Sequence, residues 1–132
     1  MRRFLPLPLA FAAFAALAGP YDQPYALVES GDASEVYKEA RLAINKIDGA
    51  SPRDPRKSDP LPPGKHVVDL HFESARGTFR PEYQSVQLDL EACTRYRIVA
   101  AYESKLGPEW KPKVYAEPIG ECRKKFAKAA PK

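Results

Sequence analysis

The chain has 132 residues, and its 21 Lys and Arg against 17 Asp and Glu give a formal net charge of +4. Arg2 and Arg3 belong to an N-terminal segment that we predict is removed, which leaves 19 basic residues and a net charge of +2. Five more basic residues fall within 123–132, so the body of the chain is mildly acidic. Nucleic-acid binders concentrate positive charge on their folded face, so we exclude nucleic acid as a partner. The 114 residues after position 18 suffice for one domain with one core.

Residues 1–18 predict a secretory signal peptide. Two arginines precede an apolar run of Leu, Phe and Ala that ends in small residues. The run is shorter than the about 20 residues of a membrane-spanning helix. We expect export and cleavage after Ala18, with an uncleaved N-terminal anchor as the alternative. Position 20 is Pro20 and not the cysteine that a bacterial lipoprotein needs, so we expect a soluble periplasmic or secreted product.

The two cysteines, Cys93 and Cys122, both lie in the part predicted to be exported. An oxidising compartment favours a disulfide between them. Closing a loop of about 30 residues would stabilise the fold by roughly 3.5 to 4 kcal/mol in the chain-entropy model. A reactive thiol or a pair of metal ligands is the alternative, but the chain has no Cys-x-x-Cys and no His at ligand spacing.

The first half of the predicted domain contains one ambiguous segment. After a strand at 25–29, residues 32–49 carry apolar side chains at both helical and strand spacing. We expect a helical turn over 32–37, which makes one short helix near residues 32–40. A strand over 41–47 follows and ends in an Ile-Asp-Gly turn. A continuous helix is the alternative.

Residues 50–64 contain five prolines and predict an exposed loop. The strand that follows, 67–73, alternates and places Val68, Leu70 and Phe72 on one face. His66 is even-numbered like the residues of this apolar face, and we expect it to pack against the turn that precedes the strand.

A β-hairpin is predicted between about Val86 and Tyr102, with its even-numbered residues facing inward. This register would put Asp89 opposite Arg95 or Arg97 on the exposed face. The last predicted strand spans 110–117, and its Pro112 identifies an edge strand.

Five to seven short strands separated by Gly/Pro turns predict a mainly β protein, a small antiparallel β-sandwich over 19–122. We expect the basic segment 123–132 to be a disordered tail.

Three motifs carry a resemblance to a known family: Ile-Asp-Gly at 47–49, Pro-Pro-Gly-Lys-His at 62–66 and Cys-Thr-Arg-Tyr-Arg-Ile at 93–98. Together they resemble the PEGA-type group of small exported bacterial β-sandwich domains over about residues 40–117. The resemblance implies an immunoglobulin-like sandwich associated with the cell envelope and no defined chemistry. The cysteine pair, the long proline loop and the basic tail depart from that pattern.

The sequence offers little for catalysis. Asp69, His71 and Glu73 share one strand face, but side chains two residues apart in a strand stand nearly 7 Å apart, so we predict a solvated face and no metal site. There is no Gly-x-Ser-x-Gly motif. Trp110 lies near several glutamates in sequence, and we expect it in the core and not at a ligand platform. We predict no catalytic residues and no cofactor.

Basic side chains are the remaining candidates for binding. They are Arg95, Arg97, Lys111, Lys113, Arg123, Lys124 and Lys125. If the strands of the first four are neighbours, these residues would form a basic strip. The sequence therefore favours an exported, non-enzymatic binding or structural module whose partner is an envelope protein, an anionic polymer or a membrane surface. A small secreted hydrolase, or a protein inhibitor acting through residues 51–64, is the alternative.

Overall fold

The structure, a computed structural model, describes residues 19, 21–73, 81–103 and 109–127. This part of the chain is mainly β, with seven strands and one short helix. The elements are β1 Ala26–Ser30, β2 Glu39–Ala40, β3 Ala43–Ile47, β4 Gly64–His71, β5 Tyr83–Leu90, β6 Thr94–Ala101, β7 Lys111–Pro118 and α1 Gly120–Lys125. The predicted signal peptide and residues 128–132 of the predicted tail lie outside the described residues.

The strands form two sheets, which confirms the predicted small sandwich. In the first sheet, β6 pairs with β7 on one side and with β1 and β2 on the other. The second sheet has the order β3-β4-β5 and is antiparallel throughout. The β1–β6 pair is parallel, so the first sheet is mixed and not purely antiparallel as predicted.

The core lies between the sheets and follows the predicted alternation. The inward residues of three strands belong to one buried cluster or pack against it: Val68, Leu70 and Phe72; Val86, Leu88 and Leu90; Tyr96, Ile98 and Ala100. Trp110 completes this cluster at 3% exposure, which confirms its predicted place in the core. Its ring meets Phe72 edge to face at 5.2 Å, and its Nε1 donates to the carbonyl of Pro81 at 2.8 Å.

The predicted hairpin is wrong, although both of its strands exist. β5 pairs with β4, and the chain then crosses to the other sheet, where β6 pairs with β1, β2 and β7. Asp89 therefore faces Lys65 and not an arginine. The crossing is fixed at Cys93, whose N–H donates to the carbonyl of Tyr25 just before β1. Alternation correctly identified the buried face of each strand, but it carries no information about which strand lies alongside.

The predicted helix near residues 32–40 is also wrong. Ser34 and Glu39 exchange two backbone hydrogen bonds, and the four residues between them form a turn with Lys38 at a φ of 57°. Val36, which contributed to the helical spacing, is 85% exposed at the tip of this turn. The strand predicted for 41–47 is present as β3.

The proline-rich segment 50–64 is a largely exposed loop up to the start of β4 at Gly64, as predicted, and hydrogen bonds fasten it to the sandwich. Leu61 exchanges two backbone hydrogen bonds with Ala26 of β1, and Ser58 donates its N–H to Val28 and accepts from it through Oγ. On the side of β3, the carbonyl of Pro55 accepts from the N–H of Ile44. The loop thus occupies the backbone groups at the outer edge of β1.

Candidate interaction surface

The outer face of the first sheet holds four of the predicted binding residues. Arg95 and Arg97 of β6 and Lys111 and Lys113 of β7 are all odd-numbered, and the pairing of β6 with β7 puts odd residues opposite each other. Even-numbered residues of β6 face the core. The four cations therefore lie on one face, as the sequence predicted for neighbouring strands.

Glutamates interrupt this row of cations. Arg95 Nε lies 3.0 Å from Oε2 of Glu29 on β1, and its Nη1 lies 3.7 Å from Oε1 of Glu117 on β7. Arg97 forms a hydrogen-bonded ion pair with the same Glu117. Register explains the arrangement, because Glu29 is aligned with Arg97 on one side of β6 and Glu117 with Arg95 on the other.

A second cluster surrounds Glu39, whose residue exposure is only 6%. The hydroxyl of Tyr115 donates to Glu39 Oε2, and Lys113 Nζ lies 3.3 Å from the same oxygen. Lys113 Nζ also lies 5.2 Å from the centroid of the Tyr115 ring. Hydrogen bonds to Tyr115 and Glu39 raise the pKa of Lys113.

This face is therefore a network of alternating charge and not the basic strip that the sequence suggested. An anionic ligand would have to compete with Glu29, Glu39 and Glu117 for Arg95, Arg97 and Lys113. Sequence reasoning missed Glu29 and Glu39 as components of this face, because their strands meet β6 from distant parts of the chain. Lys111 is exposed and, within the described residues, forms no ion pair.

Helix α1 lies on the same outer face, at the end where β6 begins. The predicted disulfide is confirmed: Cys93 and Cys122 are bonded, with their Cα atoms 5.2 Å apart. Around the bond, a second small cluster buries Tyr25, Leu27 and Ile119, with Phe126 partly buried against it. The disulfide and these apolar contacts fasten α1 to the sheet.

The sequence predicts a disordered tail from Arg123 onward, but helix α1 continues to Lys125. Arg123 and Lys124 are exposed and have no acidic partner among the described residues. Lys125 donates from Nζ to the carbonyl of Tyr21 at 2.6 Å, so it holds the segment before β1. All three cations stand in the last turn of the helix, where positive charge is favoured by the helix dipole.

The outer face of the second sheet carries Asp69 and His71, two of the three potential metal ligands of the sequence. His71 Nε2 lies 3.2 Å from Oε1 of Glu82, and its ring stacks on Tyr83 at 4.5 Å. Asp69 instead accepts a hydrogen bond from Ser85 at 2.5 Å. Asp69 and His71 thus have separate partners. Among the residues that the structure describes, no group of three His, Cys, Asp or Glu is arranged to hold a metal ion.

The fold and this surface define a small two-sheet β-sandwich with a disulfide-fastened C-terminal helix. Comparison with family models, curated proteins and solved structures finds no match to this chain. Within the described ranges, no helix has the length and apolar character needed to span a membrane.

Proposed function

We propose that this protein is an exported, non-enzymatic binding or structural module of the cell envelope, and that α1 contacts an anionic surface there. The observation that carries the proposal is the fixed position of Arg123 and Lys124. Both side chains are exposed on a helix that a disulfide fastens to the sheet, and neither is neutralised by an acidic partner in the described part of the chain.

The contrast with the charge network supports this choice of surface. To bind an anionic ligand, Arg95, Arg97 and Lys113 would have to give up an ion pair with a glutamate. Arg123 and Lys124 have no such ion pair to give up within the described residues. Exposed cations held on a rigid element attract anionic lipid headgroups or acidic polymers by electrostatics that salt screens. The predicted leader, the disulfide and the resemblance to PEGA-type domains all support an envelope location for such a module.

Co-sedimentation with lipid vesicles tests the proposal. The protein, expressed with its own leader and purified, is mixed at low salt with vesicles of anionic lipid or of zwitterionic lipid alone. We expect binding only to the anionic vesicles, and we expect the double substitution Arg123→Gln/Lys124→Gln to weaken it.

The matched control is Lys46→Gln/Lys65→Gln, which removes the same charge from exposed positions of the second sheet. If both double substitutions reduce sedimentation equally, net charge and not α1 governs binding. Equal sedimentation of the wild type with both kinds of vesicle would also contradict the proposal. The mass of the purified protein tests export: a chain starting at Gly19 is expected, and a chain retaining residues 1–18 would oppose it.

A further inference from the structure

The outer edge of β5 differs from the other strand edges of the sandwich. In the β4–β5 ladder, Phe72 donates its N–H to the carbonyl of Glu82, which continues the register of the two strands. Hydrogen-bonded pairs alternate along an antiparallel ladder, so the even residues of β5 bond to β4. The backbone groups of Tyr83, Ser85, Gln87 and Asp89 therefore point away from the sheet.

The other edges are protected. The loop 50–64 bonds to β1, and Pro55 bonds to Ile44 of β3. On β7, the bond from Ile119 N–H to the carbonyl of Cys93 shows that the odd residues bond to β6. The backbone groups of its even residues therefore point away from β6, toward the free edge. Two of these four residues are Pro112 and Pro118, which have no N–H to donate.

β5 has no such protection among the described residues. It is eight residues long, contains neither proline nor lysine, and its outward N–H and C=O groups form no hydrogen bonds in the described part of the chain. Natural sheets usually cover or charge an edge of this kind, because it is a template for another strand. On its inner side, Val86 and Leu88 are only partly buried although they pack against the core.

We infer that the protein forms a two-fold symmetric dimer in which β5 pairs antiparallel with β5 of a second copy. One register pairs seven of the eight residues of β5, Tyr83 to Asp89: Tyr83 faces Asp89 of the second copy, Ser85 faces Gln87, and Val86 meets Val86 on the axis. The outward-pointing odd residues then form the hydrogen-bonded pairs, as the ladder geometry requires.

Charge and apolar surface both favour a second copy as the occupant. Asp89 is the one charged residue of β5, and in this register it faces a tyrosine and never another Asp89. The symmetric contact also brings together the partly buried Val86 and Leu88 of both copies and joins the two three-stranded sheets into one of six strands. A contact of this kind is self-complementary, as a two-fold interface must be. The inference is independent of the function proposed for α1.

Sedimentation equilibrium of the wild type and two double variants tests the dimer. Ser85→Lys/Gln87→Lys places lysine opposite lysine across the axis, and Ser85→Lys/Gln87→Glu places lysine opposite glutamate. Both variants lose the Ser85–Asp69 hydrogen bond equally. We expect the first to raise the dimer dissociation constant by about tenfold or more and the second to leave a dimer close to that of the wild type.

A second measurement does not depend on these variants. Val86→Cys would place two thiols opposite each other on the axis, at a non-hydrogen-bonded pair with Cα atoms about 4.5 Å apart, which a disulfide can bridge. Gln84→Cys, which faces Leu88 of the second copy, serves as the control. Oxidation is expected to yield a covalent dimer from the first variant and not from the second.

Three results would overturn the inference: a wild type that is monomeric at all concentrations, a dimer that both lysine-containing variants affect equally, or equal cross-linking at positions 84 and 86. An extended peptide from another protein would then be the remaining occupant of this edge.

Discussion

Nδ1 of His66 lies 2.6 Å from Oδ2 of Asp48, and Nε2 of the same ring lies 2.7 Å from the carbonyl oxygen of Pro62. Both partners offer acceptor oxygens, so the imidazolium form of the buried ring, with a proton on each nitrogen, satisfies both contacts. Asp48 also accepts from the N–H of Val67 through its other oxygen, at 2.8 Å. The His66–Asp48 pair therefore joins the turn after β3 to the entrance of β4 and to the end of the proline loop.

This arrangement predicts that the stabilisation from His66 falls as the pH rises above the unfolded pKa of about 6.5. Burial opposes the charged ring, but the hydrogen bonds to Asp48 and to the Pro62 carbonyl raise the pKa of His66. Its contribution is therefore fully present below the unfolded value of about 6.5 and is lost as the pH rises through the folded pKa. Hydrogen bonds from Val67 and His66 lower the pKa of Asp48, so its contribution is lost as the pH falls through the folded pKa of that carboxyl.

The measurement is the free energy of unfolding, by urea, of wild type and His66→Gln between pH 5 and pH 9. The variant is expected to lose about 1 to 3 kcal/mol at pH 5 and less at pH 9. His71 is present in both proteins, so the difference between the two curves isolates His66. A difference that is constant across this range would show that His66 does not titrate with folding.

Gly31 is predicted to be intolerant of any side chain. A Cβ atom there would lie 2.6 Å from Cγ1 of Val99, and the N–H of Gly31 donates to the carbonyl of Ile98 at 2.9 Å. Gly31→Ala should cost about 1 to 3 kcal/mol of unfolding free energy through overpacking. Gly120→Ala is the control, since nothing lies within 4 Å of its Cβ position, and it should be neutral or slightly stabilising.

A double substitution separates overpacking from other causes. Val99→Ala removes the methyl groups that the new Cβ would meet, so Gly31→Ala should cost less in that background than in the wild type. Equal costs in the two backgrounds would mean that contact with Val99 is not the cause.

Trp110 is predicted to stabilise the fold through the hydrogen bond of its indole nitrogen as well as through the apolar area that it buries. Trp110→Phe keeps an aromatic ring against Phe72 but leaves the Pro81 carbonyl without its donor, which should cost about 1 to 3 kcal/mol. Trp110→Ala should cost about 3 to 5 kcal/mol. Tyr37→Ala, at a side chain that is 70% exposed, should change the unfolding free energy by less than about 0.5 kcal/mol. Chemical denaturation measures all three, and a Phe variant as stable as the wild type would remove the role of the hydrogen bond.

The sequence could predict which face of β4, β5 and β6 is buried, because alternation is a local property. Leu70, Ile98 and Trp110 all lie where their patterns placed them. The compartment suggested by the leader was enough to predict the disulfide. The pairing of the strands could not be predicted, because nothing near Arg95 in the sequence indicates that Glu29 and Glu117 lie beside it.

Two local errors have physical reasons. Asp32 and Glu35 imitate a helix start, but Ser34 caps the turn instead, accepting from the N–H of Tyr37 at 3.2 Å. Helix α1 was missed because six residues are too few to show periodicity, and such a helix depends on tertiary packing. The available signal was the spacing of Cys122 and Phe126, four residues apart, which places both on one helix face.

Whether the disulfide holds α1 on the sheet can be measured by amide hydrogen exchange. Arg123 and Phe126 donate their N–H groups to Ile119 and Cys122, and these bonds report the helix. In the wild type we expect both amides to be protected. In Cys93→Ser/Cys122→Ser, whose global stability should fall by roughly 3.5 to 4 kcal/mol, we expect this protection to be lost first while the β4–β5 ladder still exchanges slowly. Unchanged protection of Arg123 and Phe126 in the double variant would show that the helix holds its place without the bond, and absence of protection in the wild type would show that the cations of α1 have no fixed position.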